Sequence, residues 1–427
     1  MTTEAGSRMT ELMRRLFPIC RSITGDGVRE TLREVAQRIP LQIHEVPSGT
    51  QVFDWTVPDE WNIRDAYIAR SNGERVVDFR DSNLHVVGYS EPVHREMRFE
   101  ELRAHLHTLP AHPGWIPYRT SYYERTWGFC LSQQQLDELD DTSYEVVIDS
   151  TLATGALTYG ECYLAGERPD EVLLSTHVCH PSLANDNLTG IAVLTELGLA
   201  LSSAPRRLSY RLLFIPGTIG SLTWLARNEH RLDAVVCGVV LACLGDFAPL
   251  TYKRSRRGNG PVDRAAALAV AARGGRVVDF VPWGWDERQF NSPGFDLPVG
   301  ALSRSREGEY EEYHSSADDL ELVSAERLEE ALTALLVLLD VVEQDRRYVN
   351  VLPKGEPQLG RRGLYPATGG GAQADEQLAM LWVLNLADGS SSLLEVAERS
   401  GLDFELVVRS AGRLADAGLL VPAEGDR

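Results

Sequence analysis

Lysine is almost missing from this chain. Its 427 residues contain only Lys253 and Lys354, and arginine supplies the rest of the positive charge. Basic side chains number 42 against 62 acids, a formal net charge of −20. A polyanionic partner needs a concentrated basic face, so nucleic acid is not an expected partner. Cysteine is also scarce. The six that occur are irregularly spaced without a CxxC pair, which excludes a disulfide framework. Long apolar runs are missing as well, and even VVCGVVLACLG (235–245) is too short to span a bilayer. The start, MTTEAGSRMTELMRRLF, carries acids and lacks the pattern of an export signal. These absences leave the cytoplasm as the expected location and no membrane as a partner.

What is present is an ordinary globular composition, 43% hydrophobic and 24% charged, in a chain long enough for two or three domains. Residues 7–38 read as a helix, with Met9, Leu12, Leu16, Leu32 and Val35 at helical spacing. Short alternating runs such as QVFDWTV, RVVDF and NLHVVGY between turn residues predict a small β-rich module over 45–120. From about Gly128, YEVVIDS, EVLLSTH, RLLFIPGTIG and DAVVCGVVLACL read as strands alternating with helices. That pattern predicts an α/β domain, 1–44 with 121–352, built on a mostly parallel sheet and closed by a helix over 323–345. Residues 353–374, with YPATGGGAQ, read as a linker. Residues 375–427 show three short helices and an apolar strand, a winged-helix pattern. From 371 onward there are four arginines and ten acids, 4 − 10 = −6, which favours a packing or dimerisation role over DNA binding.

The chemistry gathers in LSTHVCHPSLANDNLTG (174–190). An apolar strand ends there in His177, Cys179 and His180, and Asn185 or Asp186 caps the expected next helix. Ligands bind beyond the carboxyl ends of strands in open α/β sheets. Imidazole and carboxylate at such a rim suit a zinc ion, which takes three such ligands in a catalytic site. Two hydrogen-bonded loop histidines beside a capped helix would look the same. Two further polar loops follow candidate strands: WGWDERQFNSPGF with Asp286, Glu287 and Arg288, and EGEYEEYHSSADDLE with Tyr313 and His314. Three polar loops on one rim point to an active site.

The order STHVCHP, ANDN, FIPGTIG, LGD, WDERQF and EYHSSADD resembles the zinc aminopeptidase superfamily, which also contains glutaminyl cyclases. More closely, nearly the whole chain, including IPYRTSYYERTWGFCL (116–131), resembles aminopeptidase-like proteins linked to polysaccharide or natural-product biosynthesis. Those combine a peptidase-like domain, an inserted β module and a C-terminal winged helix. The resemblance implies His177, Asp186 and His314 as zinc ligands, with His180 either a further ligand or a substrate contact. It also exposes departures. Gly217-Thr218 stand where the superfamily has a Glu pair, and its other metal-binding Asp would fall near Cys243 or Asp246. One zinc per chain is therefore expected, and the proton shuttle must come from elsewhere: Glu312, Glu309 or Asp286.

The expected reaction is zinc-assisted hydrolysis of an amide in a small aminoacyl or peptide-like conjugate. Acids at the rim (Asp286, Glu287, Glu311, Asp318, Asp319) would hold the substrate ammonium group. Glu287, Arg288, Tyr313 and Tyr122 are candidate substrate contacts, and Tyr123 and Trp285 candidate pocket walls. Alternatives are acyl transfer or cyclisation at the same zinc, nucleophilic catalysis by Cys179 with a neighbouring histidine, or a degenerate peptidase that only binds a ligand or partner. The long apolar closing helix and the acidic winged helix make a homo-oligomer plausible.

Overall fold

The computed structural model describes residues 4–140, 142–364 and 371–424, with side chains from 374 in the last segment. The chain divides into two compact units, Met1–Leu336 and Val337–Arg427, the boundary falling within the helix Ala325–Gln344. The first unit is built on an eight-stranded mixed sheet. In spatial order its strands are Gln42–Pro47, Ala156–Leu164, Ser209–Ile215, Glu171–His177, Val235–Leu241, Val299–Ser303, Thr251–Lys253 and Arg276–Val278. The four strands from Ser209–Ile215 to Val299–Ser303 are parallel neighbours. Every residue of Ser209–Ile215 and Glu171–His177 is buried, as expected of strands covered on both faces.

The helix Thr189–Ser202 follows the second of these strands closely. Gly190 permits the approach, because a Cβ there would lie 2.3 Å from Thr176 Oγ1. The stretch expected as one helix over 7–38 is two, Glu4–Leu16 and Asp26–Ala36. Pro18 follows the first, and Gly25, at φ 99°, stands immediately before the second. These two residues break a hydrophobic periodicity that otherwise runs on.

A second, four-stranded antiparallel sheet runs in the order Arg75–Asp78, Glu60–Arg70, Ser143–Ala153 and Val93–Arg98. The boundaries expected for the β module therefore shift at both ends. Gln42–Pro47 pairs with Ala156–Leu164 in the main sheet, and Ser143–Ala153, expected in the α/β domain, belongs to the small sheet. Alternation marks a strand without naming its partner.

Three adjacent strands of the main sheet are tied by a buried ion network. The Arg211 guanidinium donates to both Glu171 oxygens at 2.6 Å and also pairs with Glu161. Glu161 accepts from Trp224 Nε1 and from Arg231, each at 3.0 Å. Arg211→Met would leave two buried carboxylates short of their main cation. We expect a loss of about 3–5 kcal/mol in denaturant unfolding, and a loss below ~1 kcal/mol would show that the network does not hold the sheet.

In the second unit Arg347–Asn350 lies between Asp388–Ser392 and Leu420–Pro422. Three helices, Gly371–Leu386, Leu393–Ser400 and Phe404–Asp416, complete the winged-helix arrangement. Ser392 and Glu395 form a capping box, and Asp403 accepts the Leu406 N–H at the start of the third helix. Arg347–Asn350 was expected in the α/β domain, so this unit begins earlier than residue 375. Of the expected linker 353–374, residues 365–370 lie outside the described residues. Among the described residues no helix is long and apolar enough to cross a membrane.

Candidate metal centre

His177 ends the fully buried strand Glu171–His177, between the ends of Ser209–Ile215 and Val235–Leu241. The turn that follows is held from the far end of the sequence. Arg21, 2% exposed, donates to the carbonyls of His180 (2.7 Å), Pro181 (3.1 Å) and Leu16 (2.6 Å). Burial lowers its pKa to about 10, so it stays charged at neutral pH. No sequence signal singled out Arg21.

Residues 184–188 form one irregular helical turn before Thr189–Ser202. The expected capping by Asn185 or Asp186 does not occur. Asn187 Oδ1 instead accepts the N–H groups of Gly190 and Cys243, both at 3.2 Å. Asp186, 1% exposed, is thereby free to face three imidazoles. Its Oδ1 lies 2.8 Å from His177 Nε2, and its Oδ2 lies 3.1 Å from His314 Nε2 and 3.9 Å from His180 Nε2. The ligand atoms of His177, His180 and Asp186 all fall within 4.8 Å of one another. Burial opposes a charge on Asp186, but the surrounding histidines outweigh it and hold the carboxyl well below its ordinary range. Burial pushes His180 down to about 3, against the pull of Asp186, so its imidazole is neutral at pH 7. A neutral imidazole beside an ionised carboxylate is the donor chemistry a zinc ion takes.

His314 arrives from a distant loop. Its carbonyl accepts the Tyr118 N–H at 2.8 Å, and Pro117 and Ser315 form a bridge, pinning 307–321 against 116–120. The Tyr118 ring stands edge-on to both His180 and His314, and no sequence signal distinguishes it from the neighbouring Tyr122 and Tyr123. Beneath Asp186, Asp318 accepts the backbone N–H groups of Asn185 (2.5 Å) and Asp186 (3.0 Å) and the Tyr310 hydroxyl (2.9 Å). Burial, with Asp186 adding, raises the Asp318 carboxyl to about 7.

The histidines open into a cleft of about 300 Å³ that Tyr118, Tyr122, Cys179, Gly217, Thr218, Trp285, Asp286 and Arg288 also line. Three of the cleft residues, Tyr122, Thr218 and His314, have positive φ (42°, 62° and 56°). Such strained residues concentrate at functional sites. Asp286 is 2% exposed, and its Oδ1 accepts the Thr218 N–H and the Ser221 hydroxyl, both at 2.8 Å. A carboxylate thus stands at the Gly217-Thr218 turn, supplied by the 283–288 loop. Burial raises the Asp286 pKa, with His177 and the two hydrogen bonds pulling the other way.

Other expected site residues are placed elsewhere. Glu309 pairs with Arg306 at the surface, and neither Glu309 nor Glu312, expected as bases from their nearness to His314 in the chain, is among the residues lining the cleft. Glu287 has a side chain 0% exposed and paired with Lys253, which removes it from substrate contact. Tyr313 stacks on His314 at 3.9 Å, packing against the imidazole. Tyr123 is 49% exposed against Trp55, outside the cleft. Asp246 is bonded to Asn185 Nδ2 (2.8 Å) and the Ser305 N–H (3.2 Å) and does not join Asp186. Among the described residues one group of metal-type side chains forms, not two.

Comparison with known proteins fits this arrangement. Residues 10–345 match the family described as domain of unknown function DUF4910, and residues 346–422 match a winged helix-turn-helix family. A Clostridium acetobutylicum protein named for polysaccharide biosynthesis and an aminopeptidase-like domain is 49% identical over 98% of this chain and 97% of its own length. A crystal structure from the same organism, of a protein assigned to the peptidases, aligns over 98% of this chain and 97% of that one, with TM-score 0.91 and 48% identity. A zinc aminopeptidase from Bacillus subtilis shares the fold at 14% identity, with TM-score 0.57 over 78% of this chain and 93% of that one. The chain belongs to the DUF4910 family of aminopeptidase-like proteins, here carrying a C-terminal winged helix.

Proposed function

We propose that this protein is a zinc-dependent amidohydrolase that cleaves an amide of a small aminoacyl or peptide-like conjugate within a biosynthetic pathway. The observation that carries this reading is the meeting of His177, His180 and Asp186, with His314 Nε2 3.1 Å from the Asp186 carboxylate, beside the buried carboxylate of Asp286. These residues fit a single zinc ion, with His177, Asp186 and His314 or His180 as its holders. When bound, zinc lowers the pKa of water to about 7 and polarises a carbonyl. Asp286 accepts the proton of the attacking water and returns it to the leaving nitrogen, as the C–N bond breaks. The N–H of Thr218 and the hydroxyl of Ser221 fix the Asp286 carboxylate in place for both transfers. Tyr118 and Trp285 wall the cleft.

The test pairs elemental analysis with an amide-turnover panel. About one zinc per chain, and turnover removed by a chelator and restored by zinc, are expected. The thiol alternative is separated by Cys179→Ala. Burial pushes the Cys179 thiol up to about 12, which disfavours the thiolate that nucleophilic attack needs. Its Sγ accepts the Gly217 N–H at 3.1 Å. The variant is expected to keep turnover within about fivefold, that hydrogen bond being worth about 1 kcal/mol or less. Chelator-resistant turnover that disappears in Cys179→Ala would replace the zinc reading with the thiol one.

A further inference from the structure

An aminopeptidase needs acids to hold the substrate ammonium group, and of the acids expected at this rim only Asp286 lines the cleft. Glu287 is buried in an ion pair with Lys253, no hydrogen bond satisfies its two oxygens, and it does not line the cleft, while Asp318 is taken up by the N–H groups of Asn185 and Asp186 and by the Tyr310 hydroxyl. Asp319 accepts the Glu321 and Leu322 N–H groups, and Glu311 is 69% exposed beside His112. Among the described residues lining the cleft, Asp286 is the only acid, and its Oδ1 already accepts two hydrogen bonds.

Donors, in contrast, are left over. Arg288 Nε is buried without a hydrogen-bond partner, and its Nη2 reaches Thr218 Oγ1 only at 3.4 Å, a long contact. Trp285 Nε1 is likewise buried without a partner. Both residues line the cleft, two positions or fewer from Asp286. Buried donors without acceptors are costly and uncommon. The planar guanidinium fork matches a carboxylate and its two oxygens. Arg119 adds a second cation to the same lining.

Resting on the amidohydrolase reading, we propose that the substrate amide carries a carboxylate close to the scissile bond, bound by Arg288 with the Trp285 indole. The specificity is for an acidic conjugate, and a free α-amine is not required. The carboxylate belongs to either the acyl or the amine side of the amide, and the test distinguishes them.

Zinc-loaded enzyme is assayed on two matched pairs: L-glutamyl against L-glutaminyl anilide, and N-acetylglycine against N-acetylglycinamide. One pair is expected to show about 10- to 100-fold higher kcat/KM for the carboxylate member. Whichever pair responds locates the charge. Arg288→Met should bring that ratio close to one, and Arg288→Lys should keep part of it. A binding measurement stands apart from turnover: calorimetry of glutarate against its monoamide. Glutarate should bind wild type at least about tenfold tighter, and Arg288→Met should erase the difference without changing zinc content. Ratios near one in both pairs, with glutarate no tighter than its monoamide, would overturn the inference even where neutral amides are cleaved and the hydrolase reading holds. No cleavage of any substrate, with glutarate discrimination intact, would overturn the hydrolase reading and leave the carboxylate site standing.

Discussion

Asp186→Asn is expected to empty the metal centre, lowering bound zinc to well under half per chain and turnover by about 10³-fold or more, roughly 4 kcal/mol in transition-state stabilisation. The reason is geometric. Asp186 is the group that touches both His177 and His314, and it lies 3.9 Å from His180 as well. The substitution keeps the shape and removes the charge that three imidazoles surround. It should therefore preserve the circular dichroism spectrum while the elemental analysis changes. His314→Ala, which removes one donor from the exposed side, should weaken zinc retention in the same direction and remain folded, since its side chain is 34% exposed. Full zinc content and full turnover in Asp186→Asn would end the metal reading outright.

Asp286→Asn should leave zinc bound and substrate affinity nearly unchanged while kcat falls by about 10²- to 10⁴-fold, the range for losing a positioned general base. The amide can still accept the Thr218 N–H and Ser221 hydroxyl through its oxygen, so the loop has no reason to move. The pH profile supplies the sign. Burial raises the Asp286 pKa, and a base works only when deprotonated, so activity should climb with pH through that raised value. In the variant that acid limb should vanish. Glu309→Gln and Glu312→Gln should stay within about twofold of wild type, because surface substitutions away from the chemistry have small effects. A larger loss in Glu312→Gln than in Asp286→Asn would return the proton shuttle to the His314 loop.

The two loops show how far linear order can be trusted. His177, His180 and Asp186 lie within ten residues, on a strand end and the turn after it, so their meeting is a local matter. His314 was reached through resemblance, and its approach to Asp186 depends on the pairing of 116–120 with the loop before Ser316. Glu309 and Glu312 stand near His314 in the chain, but Glu309 is drawn outward by Arg306 and neither lines the cleft. Asp286, from a loop with no sequence link to His314, lines the cleft in their stead.

By itself, the sequence determined what depends on near neighbours. Apolar runs declared the buried strands, three short helical segments and an apolar strand declared the winged helix, and the clustered STHVCHP and ANDN residues declared a polar centre at a strand end. Tertiary structure alone decided which strand joins which sheet, which carboxylate stands at Gly217-Thr218, and which acids are spent on partners. The physical reason is range. Periodicity and caps act over a few residues, whereas Ser143–Ala153 pairs with Glu60–Arg70, and Arg21 with His180, across long stretches of intervening chain.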